Sequence, residues 1–529
     1  MKQLFSALTA GAIVLMLGAC SKSDYADKYA DPSKISAASC DKLMTGVFFT
    51  GKTYTTPEYW RTFTFDFYLL GRCAQTVGFV NSTGRYAGGG EGYINDRWNH
   101  FYYTLAQYRL LEHTYNNLPD TEKPEYEIFR VLAQIFIYEQ LDEILALFGD
   151  VPFSKAGYLN ISGDVKTAYP SYDKDEALYE MMLNDLAAIN TMLDGYQLPV
   201  RAKKLPEQDY INKGDLTKWR KYANSLRLRM AMRLADNGAL TAKAQAILKE
   251  MLDDPAKYPV VDSNDENILI EADNSTDDFK VIGSSNVGIQ GIESWSGLMN
   301  RASKAMIDAL QNDDPRLEVI YDPNSDGSYV GIDTHDGETT QTNSLERPAK
   351  EGGIFYSAID TSTFSRNPRF PGLLLSAAEV AFIKAEAFQK GYAQGSAKDA
   401  FVDAVKRSVD YYYRLNATGT YRKPIQAPSE ADITAFAEQR WDAYPTKEQA
   451  IGTQKWLHFS LIDIIEAWNE VRRTGIPELY FQPDDGSPAY PNVFQRLRYP
   501  LDERTNNPEH YAKELAKDSY YRKLFWAKP

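Results

Sequence analysis

The sequence predicts a mainly α-helical protein that carries one long loop-rich region. Over about residues 41–254, apolar residues recur at three- and four-residue steps, which is the spacing of one helix face. Between about residues 259 and 370, Gly, Ser, Asn, Asp and Thr crowd together, as is typical of turns and loops. The helical spacing then returns and continues to about residue 475. With 529 residues, 43% of them hydrophobic, the chain is long enough to bury a large core.

The chain begins with a short apolar segment that stops at Cys20. Lys2 precedes a mostly apolar stretch over residues 4–19, which is shorter than the roughly 20 residues of a membrane-spanning helix. A basic start, an apolar core and small residues at its end predict a secretory signal peptide over residues 1–19. The tetrapeptide Leu17-Gly18-Ala19-Cys20 resembles the lipobox of bacterial lipoproteins, which implies that Cys20 is lipidated. The alternative is an ordinary signal peptide cut nearby, with Cys20 incidental.

The charge of the chain excludes some partners. Removal of residues 1–19 takes away one positive charge, so the formal net charge changes from −14 to −15. Such an acidic surface argues against nucleic acid as a partner, since a basic patch is expected there. It also disfavours electrostatic adhesion to anionic lipid, so a lipid anchor alone would hold the protein at a membrane. The polar residues 20–40 are predicted to form a flexible lipidated tether.

Two parts of the chain, residues 41–258 and 371–475, form the predicted helical scaffold. In "LLLSAAEVAFIKAEAFQKG", Ala377, Ala381 and Ala385 lie four residues apart, so a neighbouring helix can approach closely. Successive helix pairs with such contacts predict packing of the tetratricopeptide kind.

Helix ends and charged faces are also predicted from the pattern. In "SLIDIIEAWNEVRRTGIP", Gly475 is expected to end a helix that Pro477 prevents from resuming. In "KWRKYANSLRLRMAMRLAD", the basic residues, among them Arg229 and Arg233, are expected on a solvated or ion-paired face rather than in an anion site.

The loop-rich region over residues 259–370 is where we expect a binding surface. Long irregular connections are uncommon in compact proteins and are often functional. One helix, Ala302–Asn312, is predicted inside it. After the second scaffold segment, residues 476–529 are rich in Pro, Tyr and Asn and are predicted to wrap over the helices.

Four segments together carry a family resemblance. In this order and spacing they resemble the signature blocks of SusD/RagB-type nutrient-binding lipoproteins, and with the lipobox the resemblance covers essentially the whole chain. The segments are "DLTKWRKYANSLRLRMAMRL", "NDDPRLEVIYDPNSDGSYVG", "PGLLLSAAEVAFIKAEA" and "EAWNEVRRTGIPEL", the last followed by "QRLRYPLDERTNN".

The resemblance implies a fold and a function. The fold would be a single domain over residues 41–529, in which tetratricopeptide-like helix pairs support an irregular, ligand-facing half. The protein would be a lipid-anchored outer-membrane protein that faces the exterior of a Gram-negative cell. It would capture an oligosaccharide or a peptide without cleaving it. Its partner would be a SusC-like TonB-dependent barrel transporter, which it would close like a lid.

Candidate ligand-binding residues follow from the chemistry of sugars, since the shared blocks are structural. A sugar ring offers a patch of C–H groups to an aromatic face and a rim of hydroxyls to polar side chains. The chain holds 36 Tyr and 8 Trp, so only aromatics in loop sequence are candidates. For each candidate, the alternative is local packing under the loop. This alternative is favoured most for Trp98, since the sequence after it continues as an amphipathic helix. The candidates are Arg85, Tyr86, Tyr93 and Trp98 in "NSTGRYAGGGEGYINDRW", with Trp295 in "GIESWSGLMN".

The segment "DPNSDGSYVGID" resembles the first half of a calcium-binding loop. Asp322, Asn324 and Asp326 alternate, Gly327 makes a turn, and Asp333 sits where a bidentate carboxylate would close the shell. However, Asp replaces the usual Glu, and "YVGI" has the pattern of a strand instead of a helix. A structural calcium ion and a turn rich in Asp and Asn for backbone reasons are therefore both open.

Catalytic constellations are weak in this sequence. The five histidines are scattered without the paired spacing of a zinc site, and no GxSxG motif appears. We therefore predict no enzyme activity and no cofactor. Two alternatives stay open: a surface glycoside hydrolase, since 72 acidic residues always offer some carboxylate pair, and a helical-repeat scaffold that binds only protein.

The two cysteines that follow Cys20 are Cys40 and Cys73. They could pair in an oxidising compartment, but one bridge is not a disulfide framework. We predict free thiols.

Overall fold

The structure, a computed structural model, describes residues 39–87, 91–165, 169–271, 301–351 and 355–529. The predicted signal peptide, Cys20 and Trp295 lie outside the described residues. Across the ranges that are described, no helix is both long and apolar enough to cross a membrane.

The described chain is mainly α-helical, as the sequence predicts. The longer α-helices are α1 (Cys40–Gly51), α2 (Glu91–Asn116), α3 (Lys123–Phe148), α4 (Asp175–Leu193), α5 (Leu216–Leu234), α6 (Thr241–Asp253), α7 (Lys304–Leu310), α8 (Glu338–Glu351), α9 (Ala377–Gln389), α10 (Ala397–Thr418), α11 (Glu430–Ala443), α12 (Lys447–Phe459), α13 (Ile464–Thr474), α14 (Leu501–Asn506) and α15 (Pro508–Glu514).

Shorter elements connect these helices. Single α-helical turns lie at Gly71–Cys73, Leu159–Ser162, Leu205–Gln208 and Leu317–Ile320. The 3₁₀ turns are Lys52–Tyr54, Val200–Lys204, Asn264–Glu266 and Leu515–Lys517, and π-helical segments span Tyr59–Leu70 and Thr361–Ser365. The strands β1 (Ile268–Ile270) and β4 (Gly372–Leu375) pair antiparallel, as do β2 (Tyr321–Asp322) and β3 (Ala358–Ile359).

The helices pack in sequential pairs, which confirms the predicted scaffold. Helix α2 packs against α1 and α3, α5 packs against α4 and α6, and each helix from α9 to α13 packs against the next. In α9, Ala377, Ala381 and Ala385 are all buried, so α10 can lie close to this face. Helix α13 ends as predicted: Gly475 has a left-handed φ of 71°, and its N–H donates to the Val471 carbonyl at 2.8 Å.

Arginines of α5 join the two parts of the scaffold. Arg229 donates to both carboxylate oxygens of Glu379 in α9, at 2.5 and 2.7 Å. Arg233 pairs with Asp142 of α3 and Glu466 of α13. The prediction of an ion-paired face is confirmed, but this face is buried instead of solvated. Because the paired carboxylates come from three other helices, the sequence of α5 alone gives no sign of this burial.

The loop-rich region contains more helix than the sequence predicts. The predicted helix Ala302–Asn312 is present as α7, where the Ser303 hydroxyl accepts the Met306 N–H at 3.1 Å. Helix α8 was not predicted, because its sequence is polar throughout and has no apolar stripe. The segment "YVGI" is not a strand, and its one bridge is formed by Ile332 with Ser303.

The C-terminal segment lies over α3 and α13. The Leu497 N–H donates to the Leu147 carbonyl at 2.8 Å, and the Lys528 N–H donates to the Arg472 carbonyl at 3.0 Å. Trp526, within this segment, is fully buried. Cys40 and Cys73 are both buried and carry free thiols.

Candidate ligand-binding site

Three distant segments meet around Asn81 and form what we call the loop junction, residues 81–87, 333–341 and 480–486. The Asn81 amide nitrogen donates to the carbonyls of Thr334 at 2.9 Å and Asp336 at 2.8 Å, and to the Gln482 side chain at 2.9 Å. Its backbone N–H donates to the Gln341 side chain at 2.6 Å. One asparagine therefore joins residues 81–87 to the loop-rich region and to the C-terminal segment.

Arg85 and Tyr86 belong to this junction and lie on its buried side. The Arg85 guanidinium donates to the carbonyls of Gln482 at 3.1 Å and Pro483 at 2.6 Å, and lies 3.6 Å from the Asp484 carboxylate. The Tyr86 hydroxyl donates to the Gln482 carbonyl at 2.8 Å. Both side chains are buried, at 6% and 2% exposure. The structure thus brings both predicted residues to the junction, where they hold the C-terminal segment and present no surface to a ligand.

The exposed aromatic surface of the junction is formed by His335 and Tyr480. Their rings stack with centroids 4.1 Å apart and planes 8° from parallel. Tyr480 is 45% exposed, and the His335 side chain is 66% exposed. Since Tyr480 covers one face of the imidazole, this exposure leaves the other face open to solvent. We call this pair the ring platform.

Polar groups fix and surround the ring platform. His335 Nδ1 lies 2.9 Å from an oxygen of Asp333, which also accepts the His335 backbone N–H at 2.9 Å. Burial would raise the pKa of Asp333, but these hydrogen bonds outweigh it and lower the pKa. Within the described part of the chain, no hydrogen bond or ion pair engages the carboxylate of Asp336. The platform therefore has a fixed ring and a neighbouring free acceptor.

The other predicted aromatics have separate positions. Trp98 is 3% exposed, and its ring contacts Tyr102, Phe148 and Tyr499 at centroid distances of 5.0–5.9 Å. It is a core residue, as its place in an amphipathic helix allowed. Tyr93 is half-buried and meets Tyr68 edge to face at 6.2 Å.

Sequence reasoning missed both residues of the ring platform. His335 lies in "DTHDG", which has a turn composition, and the only available signal was that this stretch belongs to the loop-rich region. Tyr480 lies 145 residues further along the chain, and no pattern in the sequence links the two.

Two carboxylates of the candidate calcium loop, residues 322–333, have protein partners in the structure. The Asp322 carboxylate pairs with both terminal nitrogens of Arg422, and Asp333 faces His335. The Asn324 oxygen accepts the backbone N–H groups of Asp326 and Ser328, as in a side-chain-capped turn. In the described ranges, no group of three or more His, Cys, Asp or Glu side chains is arranged to hold a metal ion. These contacts agree with the alternative interpretation, a turn built for backbone reasons, and calcium binding stays a prediction.

A groove of about 380 Å³ also opens in the loop-rich region, against α11. Apolar side chains and four carboxylates line it, namely Asp313, Asp314, Glu318 and Asp432. Each carboxylate already has a protein partner: Arg440, Arg316, the Tyr413 hydroxyl and the Ser429 hydroxyl respectively. The loop junction, with its open ring and free acceptor, is therefore the stronger candidate site.

The fold is similar to that of several solved proteins. A structure described as a chitin-binding protein has a TM-score of 0.70 and 23% identity, over 92% of this chain and 100% of that one. A chitin-binding SusD homologue from Flavobacterium johnsoniae gives 0.66 and 21%, over 91% and 98%. A SusD homologue from Bacteroides fragilis gives 0.68 and 18%, over 92% and 100%. The comparison with curated proteins gave no match.

A family model also matches most of the chain. It is described as SusD-like, "Starch-binding associating with outer membrane", and it matches residues 38–500. Members of this family are carbohydrate-binding proteins and not enzymes. The helical scaffold, the family model and the structural neighbours agree, and the chain belongs to the SusD-like family of outer-membrane-associated binding proteins.

Proposed function

We propose that this protein captures an oligosaccharide at the loop junction and passes it, uncleaved, to a TonB-dependent transporter in the outer membrane. The observation that carries the proposal is the ring platform, a fixed and solvent-facing ring. The next residue in the chain, Asp336, adds a free carboxylate. Family membership and two structural neighbours described as chitin-binding support a carbohydrate ligand.

The junction suits a sugar ring in two ways. The flat C–H face of a pyranose stacks on an aromatic ring, and its hydroxyls donate to carboxylate oxygens. The imidazole of His335 is held in place before the ligand arrives, because Tyr480 stacks on it and Asp333 lies within hydrogen-bond distance of it. Preorganisation of this kind lowers the entropic cost of binding.

The junction does not suit glycoside hydrolysis. A general acid for this reaction is a carboxyl group whose pKa is raised, so that it holds a proton near neutral pH. Asp333 shows the opposite, since its hydrogen bonds with His335 lower its pKa. Its carboxylate also already accepts two hydrogen bonds from His335. The proposal is therefore capture without cleavage.

The membrane attachment in the proposal depends on Cys20. Acylation of this residue would anchor the protein to the outer membrane, and the family description places its members there. In the native cell, the wild-type protein should incorporate labelled palmitate and sediment with outer membranes. The Cys20→Ser variant should do neither. Label retained by this variant would contradict acylation at Cys20.

The transporter partnership has its own test. Gentle detergent extraction of outer membranes should recover the protein together with a large barrel protein of the TonB-dependent class. Repeated recovery of the protein alone would count against the transfer step, and would leave glycan capture to be judged separately.

The binding test removes the ring platform. Tyr480→Ala should weaken binding to the tightest oligosaccharide found on a glycan array by about two- to tenfold, since one aromatic contact contributes about 0.5–1.5 kcal/mol. The melting temperature should change little, because Tyr480 is nearly half exposed. Tyr103→Ala is the matched control, since Tyr103 is 58% exposed and also meets a histidine ring, His100, at 5.8 Å. Equal loss in both variants, or tight binding only to peptides, would contradict the proposal.

A further inference from the structure

A second cavity lies on the C-terminal segment, near the start of α4. It has a volume of about 260 Å³ and is bounded by the turn after α3, the first turn of α4 and residues 496–525. None of the residues of the loop junction lines it. The proposed glycan function does not use this cavity.

The cavity carries an excess of positive charge on an otherwise acidic protein. Five cationic and three acidic side chains line it, whereas the whole chain has a formal charge of −14. Among the described residues, Lys174, Arg522 and Lys523 form no ion pair, and all three are exposed. These three cations are free to meet a ligand.

A buried guanidinium with an unmade hydrogen bond also lines this cavity. Arg496 is 3% exposed, and it donates to the carbonyls of Leu497 and Lys517, both at 3.1 Å. Its Nη2 is buried and has no hydrogen-bond partner among the described residues. A buried donor left unpaired is unfavourable, so an acceptor that reaches this nitrogen would be favoured.

The three carboxylates of the cavity are partly neutralised. Asp150 pairs with Lys517, and it accepts the backbone N–H of Asp175 at 3.0 Å. Burial, followed by the charge of Asp150, raises the pKa of Asp175 to about 7. Glu176 lies beside the N-terminus of α4, whose positive end attracts negative charge. The negative charge of these three acids is therefore partly offset by other groups. The cavity keeps a net attraction for an anion through its three unpaired cations.

We propose that this cavity binds a small oxyanion, namely a sulfate or phosphate group, either as the free ion or as an ester on a sugar. The Arg496 Nη2 donates to one oxygen, and Arg522 and Lys523 neutralise the charge from the open side. Guanidinium and ammonium groups converging in one concave site are the usual recognition elements for such groups.

Calorimetric titration of the purified full-length chain with sodium sulfate and with potassium phosphate tests the proposal, with sodium chloride at equal ionic strength as the reference. Saturable heat is expected for sulfate or phosphate and none for chloride. Glucose 6-sulfate and glucose distinguish the sources. Equal affinity for glucose 6-sulfate and sulfate means that only the anion is recognised, and tighter binding of the ester means that the sugar is also contacted.

Variants locate the site. The double variant Arg522→Gln, Lys523→Gln should weaken sulfate binding by about two- to thirtyfold, because each of the two exposed cations contributes a modest attraction. Lys513→Gln, which changes an exposed lysine of the same segment outside the cavity, should leave the affinity unchanged.

Arg496→Lys keeps the positive charge but removes the planar guanidinium with its paired N–H donors, and should also weaken sulfate binding. No heat with either anion, or wild-type affinity in the double variant, overturns the proposal. Glycan binding at the loop junction is measured separately, so the two proposals fail independently.

Discussion

At the scale of single residues, Glu139 of α3 shows the cost of burying an acid without an ion-pair partner. It is 7% exposed, it accepts a hydrogen bond from Gln140 at 2.7 Å, and it forms no ion pair with any described residue. Burial, and then the charge of Glu143, raises its pKa to about 8. An unfolded glutamate titrates near pH 4.3, so the folded state binds more protons between these values. Stability is therefore lost as the pH rises through this range.

Glu139→Gln should remove this pH dependence. The variant keeps the shape of the side chain and cannot ionise, so its free energy of unfolding should exceed that of the wild type by at least about 1 kcal/mol at pH 9. The gain should shrink as the pH falls and vanish near pH 4, where both states are protonated. Urea unfolding at several pH values measures it. Glu180→Gln, at a half-exposed position in α4, is the control and should change little. A gain that does not depend on pH would contradict the assignment.

At the scale of elements, the helices were predictable and the loop junction was not. A helix face and its caps lie within a few residues of one another, as in α13, so the sequence shows them directly. Helix α8 could not be predicted, because its sequence lacks an apolar stripe. The bonds of the junction join residues 253 and 401 positions apart, and no local pattern encodes such pairs. Arg85 and Tyr86 lie at the junction, but their burial depends on the C-terminal segment that covers them.

Strand β4 fits against the turn after α1 only because residue 372 is a glycine. A β-carbon there would lie 1.9 Å from the Thr55 carbonyl oxygen, which is backbone and cannot rotate away. Gly372→Ala should therefore lower the free energy of unfolding by about 1–3 kcal/mol. Gly92→Ala, in the first turn of α2, meets no atom within 4 Å and should be neutral or raise it by about 0.5 kcal/mol. Chemical denaturation measures both, and equal effects would contradict the described packing of β4.

At the scale of the whole molecule, a helical body positions the loop junction. Arg229 and Arg233 tie α5 to α3, α9 and α13 through buried ion pairs. Breaking such a pair by removing one partner typically costs about 3–5 kcal/mol, which explains how distant parts of the chain hold one arrangement. On this body, Asn81 fixes the loop junction, and the ring platform faces solvent before any ligand arrives.

Capture without cleavage is the central claim, and equilibrium dialysis with a defined oligosaccharide tests it most directly. The full-length chain is dialysed against the ligand for many hours, and both the bound amount and the chain length of the recovered ligand are measured. The account predicts saturable retention by the wild type, weaker retention by Tyr480→Ala, and fully intact ligand in every sample. Shortened ligand in the wild-type sample, or no retention of any oligosaccharide, would contradict it.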